Sequence, residues 1–391
     1  MDNLVFHNAP GRYIPGEEFS SNYYTFLPDP LVSSNLDIKI DDEMSSLLCI
    51  AHRLLGRLEG MSVFLPNMVA VESILMHKEA FFSCEIDGIT APFYDILDIS
   101  RISDKTILPF KNHIAATQTG LDKLSNSKYK NAILCDVHNV LTNMENSEES
   151  GQFRTKNTFL SKYLVATNMF ASYNPTSPKH MPAALHDLEK FICQNNDFDP
   201  LIKTGLIQYQ FETIHPFLTG SGQIARILSC LVLAYKKILV RPIICLSQYM
   251  NLNKVEYIDR IEAIHRQHAY EQWIKFFIKS IIFAAEDSLN RIECWLRMRE
   301  TNLAKIEQIE KPVKAIKLFY EAIERFPIFD INTIASEVGI SYNTGATALK
   351  ILSDLQIVKQ TNHMKRNRDY AYVGFLNCFL GEDELYKMNV L

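Results

Sequence analysis

The residues best suited to chemistry lie together in one short stretch, HPFLTGSGQIAR, which runs from His215 to Arg226. Gly220 and Gly222 allow the backbone N–H groups of a turn to point into one concavity at a helix N-terminus. Such a concavity binds phosphate oxygens, and the positive end of the helix dipole adds to the attraction. The stretch therefore predicts an anion site that is built from backbone groups.

Two side chains flank the predicted anion site. Arg226 lies on the first turn of the following helix, from which its guanidinium can face the same anion. His215 lies at the edge, where a neutral imidazole can accept a proton from an incoming hydroxyl group. A base, an anion site and a cation so close together suit phosphoryl or nucleotidyl transfer. The competing interpretation is a plain helix–loop–helix joint with an incidental His-Pro pair.

Helices must position this stretch, and the sequence predicts one on each side of it. Pro216 disfavours helical geometry in its predecessor, so one helix should end near His215 and the next should begin at 221–223. Residues 1–40 are predicted as an extended arm, and residues 145–178 as a loop or short hairpin. From apolar residues at helical spacing we predict a helix that begins at Asp41 and others at about 67–83, 108–123, 130–144, 179–194, 199–215, 223–236, 247–262 and 270–310.

The C-terminal part of the chain changes character. From Lys311 the pattern is a helix, a short second helix, a turn at Gly339–Ile340, a third helix capped by Ser341, and two strands around a basic tip. This order is typical of a winged helix-turn-helix. The residues predicted to contact DNA are Tyr342, Asn343, Lys350, Lys365, Arg366 and Arg368. The alternative use of such a domain is contact between domains or within a homodimer.

Composition limits the class of protein. The chain has 391 residues, of which 47% are hydrophobic and 22% charged, so it is predicted to be globular with two or three domains. Its net charge of -5 gives no overall basic field, so any DNA contact must come from a local patch. No apolar run reaches the roughly 18 residues of a membrane helix, and no secretory pattern is recognised. The eight cysteines form no CxxC pair, which favours reduced thiols in a cytoplasmic protein and disfavours structural zinc.

The sequence around His215 resembles the Fic (Fido) family, and the resemblance covers nearly the whole chain. HPFLTGSGQIAR is similar to the family signature HPFx[D/E]GNGRxxR, and LIQYQFETIHPF is similar to the helix that leads into it. GQFRT and YNPTSP resemble the upstream flap, and LSQYMNLNKVEYIDRIE and EQWIKFFIKSI resemble the downstream helices. GRYIPGEEFSSNYYTFLPDPL, HRLLGRLEG and EAFFSCEIDG resemble the N-terminal regulatory region, and a C-terminal winged helix is a common companion.

The resemblance implies transfer of AMP from ATP to a Ser, Thr or Tyr hydroxyl of an unidentified target protein. In that scheme His215 is the base, and Arg226 meets the terminal phosphate. The other nucleotide-binding or phosphate-binding residues that it implies are Gly220, Ser221, Gly222, Gln223, Asn253 and Tyr257. A flap that includes Phe153, Arg154 and Thr155 would align the target segment by adding a strand.

Three positions depart from the family signature. Thr219 replaces the acidic residue that holds Mg²⁺ in the family, and a neutral hydroxyl is a poor magnesium ligand. Ser221 replaces an asparagine, and Gln223 replaces an arginine, which removes a positive charge from the phosphates. The loss of one preorganised group of this kind typically costs about a hundred- to a thousand-fold in rate. We therefore expect nucleotide binding to persist, with impaired or redirected transfer and with Mg²⁺ lacking its usual protein ligand.

The segment SCEIDG at 83–88 resembles the inhibitory motif [S/T]xxxE[G/N] of the family. Ser83, Asp87 and Gly88 occupy the fixed positions of that motif, with Asp87 in place of glutamate. In the family this carboxylate pairs with the second arginine of the signature and blocks productive placement of ATP. Asp87 is one methylene shorter, which leaves its reach to Arg226 open, and Glu85 is a weaker candidate partner. The alternative is that Asp87-Gly88 only ends a helix.

We therefore predict a mainly α protein that has a Fic-type helical core with a short β-hairpin flap, and a C-terminal winged helix-turn-helix domain. The leading hypothesis is an AMP transferase with an altered site. The rival is a non-catalytic regulator that binds a nucleotide or phosphate and, through its winged helix, DNA. A third hypothesis keeps the transfer chemistry but takes the group from another pyrophosphate-linked donor. The predicted boundaries are 1–104 for the N-terminal helical region, 105–285 for the Fic core, 286–310 for a connecting helix, 311–380 for the winged helix and 381–391 for a tail.

Overall fold

The computed structural model describes residues 10–15, 24–32, 36, 38–98, 101, 104–142, 149–158, 160–164, 169–195, 197–309, 313–361 and 368–380. The helices in these ranges are α1 (Asp42–Ser62), α2 (Met68–Ile86), α3 (Phe93–Leu97), α4 (Leu108–Asn126), α5 (Ala132–Leu141), α6 (Met181–Cys193), α7 (Pro200–Ile214), α8 (Ser221–Tyr235), α9 (Leu246–Leu252), α10 (Lys254–Gln267), α11 (Tyr270–Glu307), α12 (Val313–Arg325), α13 (Ile331–Glu337), α14 (Tyr342–Asp354) and α15 (Val373–Leu380). The strands are β1 (Gly11–Pro15), β2 (Tyr24–Pro28), β3 (Leu160–Leu164), β4 (Met169–Tyr173), β5 (Ile328–Phe329), β6 (Lys359–Gln360) and β7 (Tyr370–Ala371). The predicted fold class, mainly α with a short β-hairpin, is confirmed.

Helix α7 is the central helix of the core. Every residue from Leu201 to Phe211 is buried, because α6, α8 and α11 all pack against this helix. A helix buried on all sides belongs to the interior of a fold. Gly205 permits a close approach, since a Cβ at that position would lie 3.0 Å from Cδ1 of Phe277 in α11. The indole N–H of Trp273 also donates to the Gly205 carbonyl at 2.8 Å. The packing therefore fixes α7 and the residue at its C-terminal end.

Helix α2 connects the C-terminal region with the segment 83–88. The carboxylate of Glu324 in α12 is buried, and it accepts hydrogen bonds from Asn67 at 2.8 Å and from Trp295 and Arg299 at 3.1 Å each. Burial raises the pKa of Glu324, and these donors oppose that effect. A buried carboxylate with three donors has a fixed geometry. The start of α2 is therefore held against α11 and α12, while its other end reaches Asp87.

In the described part of the C-terminal region, the four helices α12 to α15 accompany a three-stranded antiparallel sheet in the order β5-β7-β6. Asp330 caps α13 by accepting from the Thr333 N–H at 3.1 Å, and Ser341 caps α14 by accepting from the Thr344 N–H at 3.2 Å. Helices α12, α13 and α14 thus follow the order that the sequence predicts. Lys365 and Arg366 of the predicted basic tip lie outside the described residues, as does the predicted tail 381–391.

The structure corrects three predictions of element position. The predicted helix at 247–262 is divided into α9 and α10 by Asn253, whose backbone is not helical. Part of the predicted extended arm forms the antiparallel pair β1–β2, in which Tyr13 lies opposite Phe26. The second predicted strand of the C-terminal hairpin gives way to α15 at Val373, because a short apolar run does not by itself distinguish a strand from a buried helix.

The flap region contains the predicted hairpin. Strands β3 and β4 pair antiparallel within the segment 145–178, with Leu160 opposite Tyr173.

Helix α11 runs without a break across the predicted boundary at 285, so the core and the connecting segment share one helix. Among the described residues, no helix combines the length and the apolar character that crossing a bilayer requires.

Candidate active site

His215 is the residue at which α7 ends. Its backbone lies in the left-handed region with φ 49° and ψ 64°, and its N–H donates to the Phe211 carbonyl at 2.9 Å. An L-residue adopts this conformation at a cost of about 1–2 kcal/mol. Strain of this kind concentrates at functional sites and persists where surrounding contacts hold it. His215 therefore stands at a sharp corner between α7 and the loop that leads to α8.

Arg154 holds this corner from the side of the flap. Its side chain donates to the carbonyl of His215 at 2.8 Å, to that of Ile214 at 3.2 Å and to that of Thr176. Its backbone N–H donates to the Pro216 carbonyl at 2.9 Å. Arg154 is only 4% exposed, so its guanidinium is committed to carbonyl groups of this chain. The Arg154 side chain therefore supports the end of α7, and docking of a target by strand addition to the flap stays a prediction.

The other residues predicted for target docking lie at the base of the flap. Thr155 is exposed, whereas Phe153 is half-buried and packs on the ring of Phe217 with centroids 5.2 Å apart. Within the described residues the flap sheet has only the strands β3 and β4. Each of these is an edge strand, to which an extended peptide can pair.

His138 of α5 fixes the loop between His215 and α8, although the sequence patterns did not single it out. Its Nε2–H donates to the Thr219 carbonyl at 3.1 Å, and its Nδ1 accepts from the Gly151 N–H at 3.0 Å. The two bonds together require the neutral tautomer protonated on Nε2. The ring lies parallel to that of Phe217 at 3.9 Å. Burial lowers the pKa of His138, so the fold favours the neutral form that both bonds need.

Helix α8 begins with the Gly-Ser-Gly turn. Gly220 precedes the first helical residue with φ 70°, and no side chain of the described residues caps this end of the helix. The first N–H groups of α8, including those of Gly222 and Gln223, therefore have no acceptor within the helix. The Ser221 hydroxyl accepts from the Phe217 N–H at 2.9 Å and donates to the Phe217 carbonyl at 3.0 Å. The side chain of Ser221 thus closes the loop, and the backbone is left to face an anion.

Arg226 lies one turn further along α8 and is bound to the segment 83–88. Its Nε donates to the Ser83 hydroxyl at 2.8 Å, and its Nη2 donates to the Ser83 carbonyl at 2.9 Å and to Asp87 Oδ2 at 3.0 Å. Arg226 is 2% exposed and Asp87 is 31% exposed. Burial opposes the charge on Arg226, but the Asp87 carboxylate raises its pKa above the usual value. The shorter aspartate therefore reaches the arginine.

The Arg226–Asp87 pair lies against the start of α8. A Cβ placed on Gly222 would be 3.3 Å from Arg226 Nη1 and 3.5 Å from Asp87 Oδ1. The carboxylate therefore occupies the region in which the helix dipole attracts negative charge. Gly88 has φ 83° and ends α2, as the alternative interpretation predicted, but this helix end also carries the ion pair.

Tyr257 was predicted to contact a nucleotide, but it is buried behind Arg226. Its hydroxyl accepts from Gln208 Nε2 at 3.1 Å and donates to the carboxylate of Glu212. Burial and the charge of Glu212 raise the pKa of Tyr257 well above its usual value, so the phenol stays neutral. Tyr257 thus supports Arg226 from within the core by binding Glu212, a carboxylate that adds to the effect of Asp87 on the pKa of Arg226.

Two other candidate residues are bound elsewhere. The side-chain amide of Asn253 donates to the Tyr249 carbonyl at 2.9 Å, which places it at the break between α9 and α10. Glu85, the weaker candidate partner of Arg226, accepts from Asn251 Nδ2 at 3.0 Å. The structure therefore assigns the partner role to Asp87 and not to Glu85.

A small cavity of about 20 Å³ lies beside Arg226 in the core, and it has room for about one water molecule. His113 and Glu79 are part of its lining. Nε2 of His113 has no hydrogen-bond partner among the described residues, and burial together with the Arg226 charge lowers the pKa of His113 to about 3. Burial raises the pKa of Glu79, which accepts from the Ser247 N–H at 3.0 Å. The cavity on the core side of Arg226 is thus lined by the neutral imidazole of His113 and the buried carboxyl group of Glu79.

The residues at Thr219 do not fit a magnesium site. Thr219 is exposed and its carbonyl is bound by His138, and no group of three or more His, Cys, Asp or Glu residues is placed to hold a metal in the described part of the chain. Magnesium is usually held by one or two carboxylates. Gln223 is 6% exposed, and within the same described residues its Oε1 has no hydrogen-bond partner. The described residues therefore supply no carboxylate cluster in place of the acidic residue that Thr219 replaces.

The comparisons with known proteins agree with this architecture. A family model described as the Fic/DOC family matches residues 128–233, which contain β3, β4, α7 and the HPFLTGSGQIAR loop. A crystal structure of a Fic family protein from Desulfovibrio desulfuricans G20 superposes with a TM-score of 0.54 at 16% identity, over 86% of this chain and 97% of that one. A Fic domain containing signaling protein from Bacteroides thetaiotaomicron VPI-5482 superposes with a TM-score of 0.51 at 14% identity, over 64% of this chain and 97% of that one. At these identities the structural likeness concerns the fold. Residues 128–233 thus form a Fic/DOC family domain within this chain.

Proposed function

We propose that this protein transfers AMP from ATP to a serine, threonine or tyrosine hydroxyl of another protein, at an altered site that works slowly. Fic domains generally transfer AMP or other nucleotide-derived groups to proteins. One arrangement carries the proposal: His215 ends α7, the open N–H groups begin α8, and Arg226 lies within one turn of them.

In this reaction His215 is the base. Its imidazole takes the proton of the target hydroxyl, the hydroxyl oxygen bonds to the α-phosphorus of ATP, and the bond to pyrophosphate breaks. The N–H groups at the start of α8 hold phosphate oxygens, and Arg226 meets the terminal phosphate. Arg154 and His138 are positioning residues, because they bind the carbonyls of His215 and Thr219 and so fix the loop.

The site lacks two groups that would stabilise the charge of the transition state. Thr219 offers no carboxylate for a metal, and Gln223 is neutral, so the backbone N–H groups and Arg226 carry the stabilisation alone. Each missing group costs roughly a hundred- to a thousand-fold in rate, although such losses are often not additive. Because the residues present do not fit Mg²⁺, the proposed reaction uses no step that depends on it.

The proposal includes a closed state that is held by Asp87. Arg226 faces this carboxylate at 3.0 Å, and the same pair lies against Gly222 at the start of α8. A phosphate group would compete with Asp87 both for the guanidinium and for the positive end of the helix. ATP therefore binds productively only when the end of α2 moves away or Asp87 is removed.

The test is incubation of the purified protein with α-labelled ATP. Asp87→Gly should label itself more than the wild type, and the double variant Asp87→Gly/His215→Ala should lose the label, because the base is gone. His186→Ala and Asp197→Gly change exposed residues of the same types and serve as matched controls. Equal labelling of Asp87→Gly with and without His215 would contradict the role of His215. No labelling of any variant, with ATP still bound, would favour a binding function.

A second candidate function is a regulator that binds DNA through its C-terminal region. The observation that favours it is α14, which exposes Tyr342, Asn343 and Lys350 beside the three-stranded sheet. A short helix followed by a longer one, next to a small antiparallel sheet, suits a winged helix that places α14 in a major groove. Arg368 is exposed just before β7, where it can meet a phosphate. Titration of a mixed-sequence duplex at increasing salt tests this candidate, and absence of binding at low salt would contradict it.

A further inference from the structure

Two thiols meet where α15 packs on α11. The sulfur atoms of Cys294 and Cys378 are 2.6 Å apart, although 84 positions separate the two residues in the sequence. This distance is well below the roughly 3.5–4.0 Å at which non-bonded carbon atoms pack. Cys294 is exposed, whereas Cys378 is 5% exposed. One residue of the pair is thus exposed to solvent while the other is buried in the core.

The close approach of the two helices brings these sulfur atoms together. Gly374 lies one turn before Cys378 on α15, and a Cβ on Gly374 would be 2.6 Å from Sδ of Met298. Met298 lies one turn after Cys294 on α11. Residues four apart share a helix face, so the two helices run antiparallel with Cys294 opposite Cys378 and Met298 opposite Gly374. Arg291 also donates to the Cys378 carbonyl at 3.3 Å, which fixes α15 at the same place.

We propose that Cys294 and Cys378 form an intramolecular disulfide when the protein meets a peroxide, which makes this pair an oxidative modification site. Reduced thiols are the normal state in a reducing compartment, where disulfides that form are usually transient and respond to oxidants. A movement of about half an ångström brings the sulfur atoms to the bond length of about 2.05 Å. The two sulfur atoms are therefore already close together in the reduced protein.

The chemistry takes two steps. The thiolate of Cys294 attacks one oxygen of hydrogen peroxide, the O–O bond breaks, hydroxide leaves, and Cys294 becomes a sulfenic acid. The sulfur of Cys378 then attacks the sulfur of Cys294, the S–O bond breaks, and water leaves with the proton of Cys378. In total, two thiols and one peroxide give one disulfide and two waters. Cys294 reacts first because it is exposed, and because burial raises the pKa of Cys378 and keeps it a thiol.

The bond fastens the end of the C-terminal region to α11. It closes a loop that contains α12, α13, α14 and the three-stranded sheet. A cross-link over a loop of this length restricts the unfolded chain more than the folded one. The oxidised C-terminal region should therefore unfold at a higher temperature than the reduced one.

The test treats the 391-residue chain with hydrogen peroxide and then counts its thiols after denaturation. The wild type should fall from eight thiols to six, and non-reducing peptide mapping should find one link, between Cys294 and Cys378. Cys378→Ser should instead trap the sulfenic acid on Cys294, where a dimedone probe labels it. Cys294→Ser should form no link, whereas Cys49→Ser, which changes another exposed cysteine, should form the same link as the wild type and fall from seven thiols to five.

A second variant tests the geometry of the pair without removing a cysteine. Gly374→Ala places a methyl group against Met298, so it should separate the helices and slow the formation of the link. The proposal is overturned if the peroxide-treated wild type keeps all eight thiols, or if mapping links other cysteines. It is also overturned if the sulfenic acid of Cys294 is as long-lived in the wild type as in Cys378→Ser.

Discussion

Arg226 and Asp87 are joined at 3.0 Å across the start of α8, although 139 positions separate them in the sequence. The exposed fractions of their side chains, 2% and 31%, mean that solvent reaches the pair from the side of Asp87. Ser83 binds the same guanidinium through its hydroxyl and its carbonyl. Removal of the Asp87 carboxylate should therefore free the positive charge while Ser83 keeps Arg226 in place.

Replacing Thr219 with aspartate should return a metal ligand to the site. In an Asp87→Gly background, we expect Thr219→Asp to raise the rate of AMP transfer with Mg²⁺ by about a hundredfold, because a lost electrostatic group costs at least that much. The substitution is sterically tolerated, since Thr219 is exposed and, among the described residues, only its carbonyl is bound. Labelled transfer with and without Mg²⁺ measures the effect. Thr219→Asn is the uncharged control, and equal rates for the two variants would contradict the prediction.

His113 should make the protein less stable in acid. Because its pKa is lowered from 6.5 to about 3 in the fold, the unfolded chain binds a proton below pH 6.5 that the folded protein does not bind. The free energy of unfolding should therefore fall as the pH decreases through this range, by about 1.4 kcal/mol per pH unit from this group. The free energy of unfolding can be measured with a denaturant at several pH values. With decreasing pH it should fall less steeply in His113→Leu than in the wild type. An unchanged slope would contradict the prediction, and His186→Leu is the exposed control.

His138 should matter to the site through its two hydrogen bonds. His138→Phe keeps a ring against Phe217 but loses the donor to Thr219 and the acceptor for Gly151. We expect unfolding free energy to fall by about 1–3 kcal/mol, since a buried N–H group loses its partner. Transfer activity in the Asp87→Gly background should also fall at temperatures where the variant is folded. Unchanged stability and activity would show that these bonds do not hold the loop.

The C-terminal region should bind DNA independently of His215 if the second candidate function is correct. Arg368→Ala should lower the association constant K for duplex DNA. The slope of log K against the logarithm of the salt concentration should also become less steep by about one unit, which is the effect of one lost phosphate contact. His215→Ala should leave both quantities unchanged. Salt-dependent fluorescence anisotropy measures them. A slope that Arg368→Ala leaves unaltered would argue that this surface does not bind phosphates.

Local patterns in the sequence were sufficient to predict most of the long helices and the start of the site, although they joined α9 with α10 and missed α3 and α15. The end of α7 at Ile214 follows from Pro216, and the start of α8 at Ser221 follows from the Gly-Ser-Gly turn. These features depend on backbone preferences that act over a few residues. The mainly α fold class followed from the same periodicity.

Long-range contacts could not be predicted in this way. Whether Asp87 reaches Arg226 depends on where packing places α2, so its side-chain length did not decide the question. The sequence predicts that Arg154 belongs to the flap, but it gives no sign that the side chain is buried against the carbonyl groups that end α7. The role of His138 depends on Thr219, which is 81 positions away. The local signal was a histidine on the apolar face of a helix, since His138 lies one turn after the buried Leu134.

The central claim is that Asp87 holds Arg226 and so keeps ATP from the start of α8. Isothermal titration of ATP into the wild type, Asp87→Asn and the exposed control Asp197→Asn tests it most directly. Asn keeps the shape of Asp87 but removes its charge, and a hydrogen bond to a charged group contributes about 1.5–3 kcal/mol. We predict that Asp87→Asn binds ATP at least about tenfold more tightly than the wild type and the control. Equal affinities in all three proteins would contradict the claim.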